Sequence, residues 1–586
     1  MRQWMVAAKK ADFYAIAEKF HVDPVVARII RNREVIGEKN IRIYLGGNLS
    51  DLSDPHQMKD MAWLVEILAQ KIRKQVRIRI IGDYDVDGVT SSHLFLTALR
   101  RVGAKVDVVI PHRIQDGYGL SLHLLQQAKE DGVDTILTCD NGIAAIDEIA
   151  WAKAQKMTVL VTDHHAVPFE EHEGRRTEKK SLADAVVNPH QQDCGYPYKE
   201  LCGAGVAWNV IRVLYENYDM DKREAEDLLD FVAMATVCDV MSLTGENRIL
   251  VKEGLKRIRH TKNIGLQALM QACNVQPENI SAYHFGYVLG PCVNATGRLD
   301  TARHALRLFE TGQETEAEEI ARDLVDLNQE RKELTLQGVE MAKKLCEEGG
   351  YENDPVLVLF LPDVHESIAG LIAGRIREMY NRPVFVLTRG EEGVKGSGRS
   401  TENYSMYENM CGCAELFTKF GGHPMAAGLS LPEENVEKFR RKINENCPLT
   451  VEEVCPDIHI DMAMPVGYAS TELVHQFALL EPFGKDNPSP LFADRNLSIS
   501  RMWVIGKNRN VLRMSVLSEY GQPVPVIFFG DVETLFAYFT EKFGQEEVEN
   551  ALHGRKNRIL FSMVYTAKID FYQGNENLQL EMKYYR

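Results

Sequence analysis

No stretch of this sequence approaches the roughly eighteen uninterrupted apolar residues of a membrane-spanning helix, so no such span is expected. The opening residues, MRQWMVAAKKADF, contain neither an apolar core nor a small-residue cleavage site. The expectation is a soluble, cytoplasmic protein with no membrane partner. Paired cysteines are also missing. The 11 cysteines form no CxxC, and Cys411 and Cys413 are the closest two, which speaks against a disulfide framework and suits reduced thiols. Positive charge is in deficit: 68 Lys and Arg against 84 Asp and Glu give −16, which excludes a protein that coats nucleic acid through a diffuse basic surface. A local basic groove is still compatible with that balance, and a metal site requires carboxylates of its own. Short basic runs occur at Arg28, Arg31 and Arg33, and at Lys256, Arg257, Arg259 and His260. Internal repeats and low-complexity tracts are absent.

What is present is a large globular chain. Its 586 residues exceed the size of a single core, and 45% hydrophobic with 26% charged residues is an ordinary enzyme composition. The expected fold class is α/β multidomain. From about residue 76 short apolar runs alternate with helical periodicity: VRIRIIG (76–82), a helix over 89–103, VDVVI (106–110), a helix over 120–130, DTILT (134–138) and TVLVT (158–162). That alternation predicts a parallel, doubly wound sheet, which binds ligands beyond the carboxyl ends of its strands. We divide the chain into an N-terminal segment (1–75), this α/β domain (76–300), a long helical connector or helix pair (301–348), a smaller α/β domain (349–454) and a β-rich tail (455–586). Short strands such as PVPVIFFG and LQLEMKYY in the tail predict an OB-like β-barrel.

Acidic and histidine clusters fall at the ends of the predicted strands. Asp83, Asp85 and Asp87, in GDYDVDG, repel one another unless a cation lies among them, and the flanking glycines allow a tight turn. A calcium loop is excluded because its twelfth position, counted from Asp83, is Leu94 rather than Glu. Asp140 follows in LTCDNGI, then Asp163, His164 and His165 in VTDHHAV, and Asp239 in MATVCDVMSL at the end of a helical segment. Taken together, these carboxylates and imidazoles suit two hard or borderline divalent cations such as Mn²⁺ or Mg²⁺.

DYDVDG, TCDNG and DHH, in this order and spacing, resemble the DHH phosphoesterase superfamily, and FGGHPMAAGL resembles the signature of its companion domain. PHRIQDGYGL, CGAGVAW, NATGRL, GSGRS and LEPFGKDNPSPLF are similar to the RecJ exonuclease family in particular. The resemblance implies that Asp85, Asp87, Asp140, His164 and Asp239 are metal ligands, with Asp140 bridging two ions. Smaller relatives that cleave dinucleotides carry a His where this chain has Ile81, and Asp83 is the expected substitute ligand. Asp140 and His165 are the expected catalytic residues, His165 as a phosphate contact or proton donor. Ser397, Arg399, Gly422 and His423 are expected to hold the strand, together with Arg113, Asn294, Arg298 and His365. Cys292 stands where family members more often have Arg, so one phosphate contact is missing or replaced.

The function this implies is metal-dependent hydrolysis of single-stranded DNA, 5′→3′ to 5′-mononucleotides, in DNA repair and recombination. A helicase and a single-stranded-DNA-binding protein are the implied partners. Two readings compete with it: a phosphodiesterase of short oligonucleotides or cyclic dinucleotides, against which the β-rich tail argues, and a non-catalytic replication scaffold, against which the intact acidic clusters argue.

Overall fold

The computed structural model describes every residue except 1, 2, 114, 115, 118, 173, 174, 391, 392, 507–509 and 573. The chain divides into two compact units, one formed by Asn48–Pro456 and the other by Gln3–Gly47 together with Asp457–Arg586. The single N-terminal segment expected over 1–75 is therefore split. Residues 4–6 pair as a parallel strand with Ile458–Ile460, and Arg33 makes a buried ion pair with Asp461 at 2.6 Å, so this portion belongs with the C-terminal residues. Short-range sequence pattern carries no trace of pairing across such a separation.

In the larger unit, five parallel strands run in the spatial order Lys105–Val109, Arg77–Ile81, Thr135–Cys139, Thr158–Thr162 and Ala185–Val187. The central strands are rich in Ile, Val and Leu because both of their faces are covered. Ile80, Leu137 and Leu160 enter one core, while Ile81, Ile136 and Val159 enter another on the opposite face. The order reverses between Arg77–Ile81 and Thr135–Cys139, so the loops after these two strands, carrying Asp83 to Asp87 and Asp140, border the topological switch point.

The connector is a helix pair, Arg303–Glu310 followed by the 35-residue helix Glu314–Glu348. The first half of the long helix buries Ala317, Ile320, Ala321 and Leu324 in the core of the first domain. Its second half buries Val339, Ala342 and Cys346 in the core of the next. That smaller domain has a mixed sheet in the order Lys419–His423, Ala426–Leu431, Gly393–Arg399, Val384–Gly390 and Leu357–Phe360, with the helix Glu366–Tyr380 crossing between its parallel pair.

In the second unit, Phe492–Ile505, Val511–Leu517, Pro523–Phe529, Asn575–Tyr585 and Leu560–Tyr572 pair in turn, and the last pairs back onto the first. This closes a five-stranded barrel with a helix, Val532–Phe543, inserted after the third strand, as the OB-like expectation required. No helix among the described residues is long and apolar enough to cross a membrane.

Candidate active site

The DYDVDG loop is anchored from both ends. Asp85 caps the helix Val86–Arg101 by accepting from the Gly88 amide at 3.1 Å, and the Val86 amide donates to Asn294 Oδ1 at 3.1 Å. Asp87 points the other way: its two oxygens accept from the Gly203 and Ala204 amides at 2.6 and 2.7 Å, the first turn of the helix Gly203–Asn217. A carboxylate at a helix N-terminus is favoured by the exposed amides and the helix dipole. The glycines act by close approach rather than by turn geometry. Neither Gly82 nor Gly88 has positive φ, but a Cβ on Gly88 would lie 2.4 Å from the Asp83 backbone.

Asp140 ends its strand with φ 62°, which turns its carboxylate over the switch point. Ligand atoms of Asp83, Asp85 and Asp140 lie within 4.8 Å of one another, and the same holds for Asp87, His164 and Asp239, and for Asp140, His164 and His165. Asp140 and His164 each belong to two of these groups. Burial, reinforced by Asp85, pushes the Asp83 carboxyl well above its ordinary value, and burial followed by Asp87, Asp85 and Asp239 does the same to Asp140. Asp85 is likewise raised, first by burial and then by Asp87. Burial pulls His164 down toward the neutral imidazole that a metal requires.

This donor set fits divalent cations. Asp83 Oδ1 and His164 Nε2 are buried without a hydrogen-bond partner among the described residues, although Nε2 lies 3.0 Å from Asp140 Oδ1. Two atoms close together but out of line for a hydrogen bond suit a shared ion better than they suit each other. Oxygen predominates among the donors, which matches Mn²⁺ and Mg²⁺.

Sequence reasoning overlooked the role of Asp163. Its Oδ1 accepts from the His164 and His165 amides and from His165 Nδ1, at 2.7, 3.0 and 2.8 Å, and its Oδ2 accepts from the Ile143 amide at 2.9 Å. Asp163 thus orients the His165 imidazole, holds the backbone of both histidines and ties them to the turn after Asp140. Burial alone would lower the His165 pKa, but the Asp163 hydrogen bond and charge, with Asp239 and Asp87, push it up to about 9.

A cavity of about 490 Å³ lies between the two α/β domains, with Tyr84 and Arg113 on one side and Lys395, Ser397, Lys419 and Ser430 on the other. Arg113 lies 5.0 Å from the Tyr84 ring centroid. Arg298 donates to the Ser367 carbonyl at 2.7 Å and Arg399 to its neighbour Gly398 at 2.7 Å. No carboxylate among the described residues pairs with either. Burial and then Arg113, Arg331 and Arg399 pull the Arg298 pKa down to about 10, and burial, Arg113 and Arg377 lower that of Arg399. Half-buried arginines that repel one another mark a place for an anion. Lys395, which pairs with Glu366 at 2.8 Å, and Lys419 line this cavity but carried no sequence motif.

Other expected strand contacts have different surroundings. The Asn294 oxygen is engaged by the metal-loop helix, as above, and His365 is an exposed N-cap that accepts from the Ser367 amide at 3.3 Å. Gly422 and His423 sit at the exposed end of the hairpin Lys419–Leu431, outside the cavity lining. In PHRIQDGYGL, Ile114, Gln115 and Tyr118 lie outside the described residues. Cys292 is buried and packs 3.8 Å from Cys273 Sγ, accepting from Asn328 at 3.3 Å. The basic runs are largely neutralised: Arg31 pairs with Glu34 and Arg257 with Glu226 and Glu253.

Clustered acid and imidazole donors at the switch point of a parallel sheet, beside a cleft lined by Arg113, Lys395 and Lys419, with Arg298 and Arg399 outside that lining, define a metal-dependent phosphoesterase. Models of the DHH family N-terminal domain, the DHHA1 domain and the RecJ OB domain match residues 77–236, 353–447 and 460–584. The single-stranded-DNA-specific exonuclease RecJ of Haemophilus influenzae is 32% identical over 582 residues, covering 96% of each chain. RecJ of Bacillus subtilis is 33% identical over 512 residues, which span 87% of this chain and 63% of that one. Among solved structures, RecJ of Thermus thermophilus in complex with Mn²⁺ superimposes with a TM-score of 0.81 at 25% identity, covering 100% of this chain and 79% of its own. The chain belongs to the RecJ family.

Proposed function

We propose that this protein is an exonuclease that removes nucleotides successively from single-stranded DNA with two divalent cations, 5′→3′ and as 5′-mononucleotides, in repair and recombination. The observation that carries the reading is the sharing of donors, with Asp140 common to two ligand groups directly above the switch point. Asp83, Asp85 and Asp140 would hold one ion, and Asp87, His164 and Asp239 the other, with Asp140 between them. When bound, such ions activate water and neutralise charge on the scissile phosphate and the departing oxygen. Arg113, Lys395 and Lys419 supply positive charge along the cleft for the strand, and Ser397 offers a hydroxyl to a phosphate oxygen. Asp163 holds Nδ1 of His165, and this imidazole is positioned to contact the phosphate or carry a proton to the leaving oxygen. A cavity of this volume suits a nucleotide-sized ligand, which supports single-strand preference. Polarity and product rest on the family resemblance.

The need for a separated strand supports a helicase and a single-stranded-DNA-binding protein as suppliers of substrate. Eleven free cysteines support a cytoplasmic location. Hydrolysis of end-labelled single-stranded DNA, duplex DNA and a dinucleotide tests the reading. Chelation should abolish cleavage of the single strand and Mn²⁺ or Mg²⁺ should restore it. Full activity in excess chelator, or preference for the dinucleotide, would refute it.

A further inference from the structure

A second cavity, of about 850 Å³, opens between the helices Val86–Arg101, Leu229–Cys238 and Arg303–Glu310 and the loop that follows Ile258. It contains none of the metal-site residues. Its wall is aromatic: the Phe231 and Phe309 rings lie 5.0 Å apart, and the His93 ring is 4.4 Å from Phe231 and 5.9 Å from Phe309. His93 is 5% exposed, lines the cavity, and has a buried Nδ1 with no hydrogen-bond partner among the described residues. A buried ring nitrogen left unmatched in this way costs stability unless a ligand or water meets it. Burial keeps this imidazole neutral, pushing its pKa down to about 3, so it meets a ligand as a dipole rather than as a charge.

The rim has the opposite character. Arg100, Arg101, Lys256, Arg257 and Lys262 line it with Asp227, Asp230 and Glu310; Arg101, Lys256 and Arg257 are held by Glu224, Glu253 and Glu226, which leaves Arg100 and Lys262 as its loosely held cations. The Arg100 and Lys262 side chains are 56% and 88% exposed, and their pairs with Glu310 and Asp227 are long, 3.9 and 3.3 Å, so an anion can displace these carboxylates at little cost. An aromatic wall with an unsatisfied hydrogen-bonding group, beneath a cationic rim, matches a flat heterocycle bearing a phosphate.

We propose that this cavity binds a free nucleoside phosphate, its base entering toward His93 Nδ1 above the closed Phe231–Phe309 pair, each ring 2% exposed, and its phosphate between Arg100 and Lys262, at a site separate from the metal centre. His93 lies two helical turns beyond Asp85 and Asp87 on the helix whose first turn contains the metal loop, so occupancy can be felt at that loop.

Calorimetric titration of the full chain in excess chelator with dAMP, ADP, ATP and inorganic phosphate tests this. At least one nucleotide should bind at one equivalent per chain, at least about tenfold more tightly than phosphate, and Arg100→Glu with Lys262→Glu should weaken it by about tenfold or more. Both replaced residues are exposed, and hydrolysis of single-stranded DNA without added nucleotide should be unchanged in the double variant. Asp140→Ala should leave nucleotide binding intact. Absence of saturable binding at millimolar nucleotide, equal affinity for phosphate, indifference to the rim substitutions, or loss in Asp140→Ala would each overturn the assignment. A photoreactive 8-azido-ATP should label the segments around His93 or His260, and labelling confined to other segments would equally overturn it.

Discussion

Gly203→Ala should cripple turnover although residue 203 bears no functional side chain. A Cβ at this position would lie 2.6 Å from Asp140 Cβ, 2.9 Å from its Cα and 3.0 Å from its Oδ1. Carbon atoms rest comfortably about 3.5–4.0 Å apart, so Asp140 or the helix must retreat by roughly 1 Å. Neither gives way easily. Asp140 is 2% exposed with φ 62°, and the helix is held through its Gly203 and Ala204 amides to Asp87. Overpacking of this kind costs about 1–3 kcal/mol of stability. Displacing a ligand by ~1 Å costs on the order of 100-fold in rate, about 2.7 kcal/mol of activation free energy. Single-turnover hydrolysis of a labelled single strand, measured across a Mn²⁺ titration, should therefore show kcat down by about two orders of magnitude and weaker metal dependence. Gly205→Ala is the internal control. Two residues along the same helix, its Cβ would meet Leu201 at 3.4 Å and Cys202 Sγ at 3.8 Å, ordinary contacts, so activity should hold and helix propensity should raise stability by up to ~1 kcal/mol. Wild-type kcat and metal dependence in Gly203→Ala would refute the proposed seating of Asp140, and equal losses in both variants would reduce the effect to general damage to the helix.

Asp140→Ala should abolish turnover while retaining the wild-type circular dichroism spectrum, because the residue ends a strand without filling the core; near-wild-type hydrolysis would refute the site. In that inactive background, Arg399→Ala should weaken binding of fluorescent single-stranded DNA and reduce the slope of log affinity against log salt by about 0.7, with metal content unchanged. Superimposable salt titrations would show that Arg399 does not touch the strand. Arg79 is 4% exposed and bonds Asp107 at 2.7 Å and Asp131 at 2.8 Å, so Arg79→Met should cost about 3 kcal/mol in urea unfolding, the low end for a broken buried pair because both acids reach solvent. Burial pushes the Asp107 carboxyl up, but Arg79 and Arg77 more than offset this and hold it below its ordinary value. The contribution of this pair is therefore complete above about pH 4 and fades as pH falls through the lowered value, so the wild type should lose its advantage over Arg79→Met in acid. A constant difference between the two across that range would refute the linkage.

The strands, their parallel class and the positions of the ligand clusters, three at strand ends and Asp239 at the end of a helix, were legible in the sequence, because a buried parallel strand is a short apolar run and a ligand loop follows it. TVLVT at 158–162 coincides with the strand Thr158–Thr162, and the breaker-poor stretch at 301–348 is a helix pair. Local pattern reaches no further than the element that carries it. Asp87 meets the Gly203 amide across 116 residues, Asn294 meets Val86 across 208, and Arg298 meets Ser367 across 69. Nothing in the spacing of those residues distinguishes a side chain that holds a loop from one that holds a phosphate. Asp163 was visible only as one more acid beside two histidines, until the fold turned its oxygens toward His165 and Ile143. The attachment of Gln3–Gly47 to the barrel, the lysines of the cleft and the His93 cavity were decided by tertiary packing alone. Chain composition and periodicity determine which elements form and which chemistry they carry, whereas the partners of a buried polar group depend on which distant backbone the hydrophobic core brings within hydrogen-bonding reach.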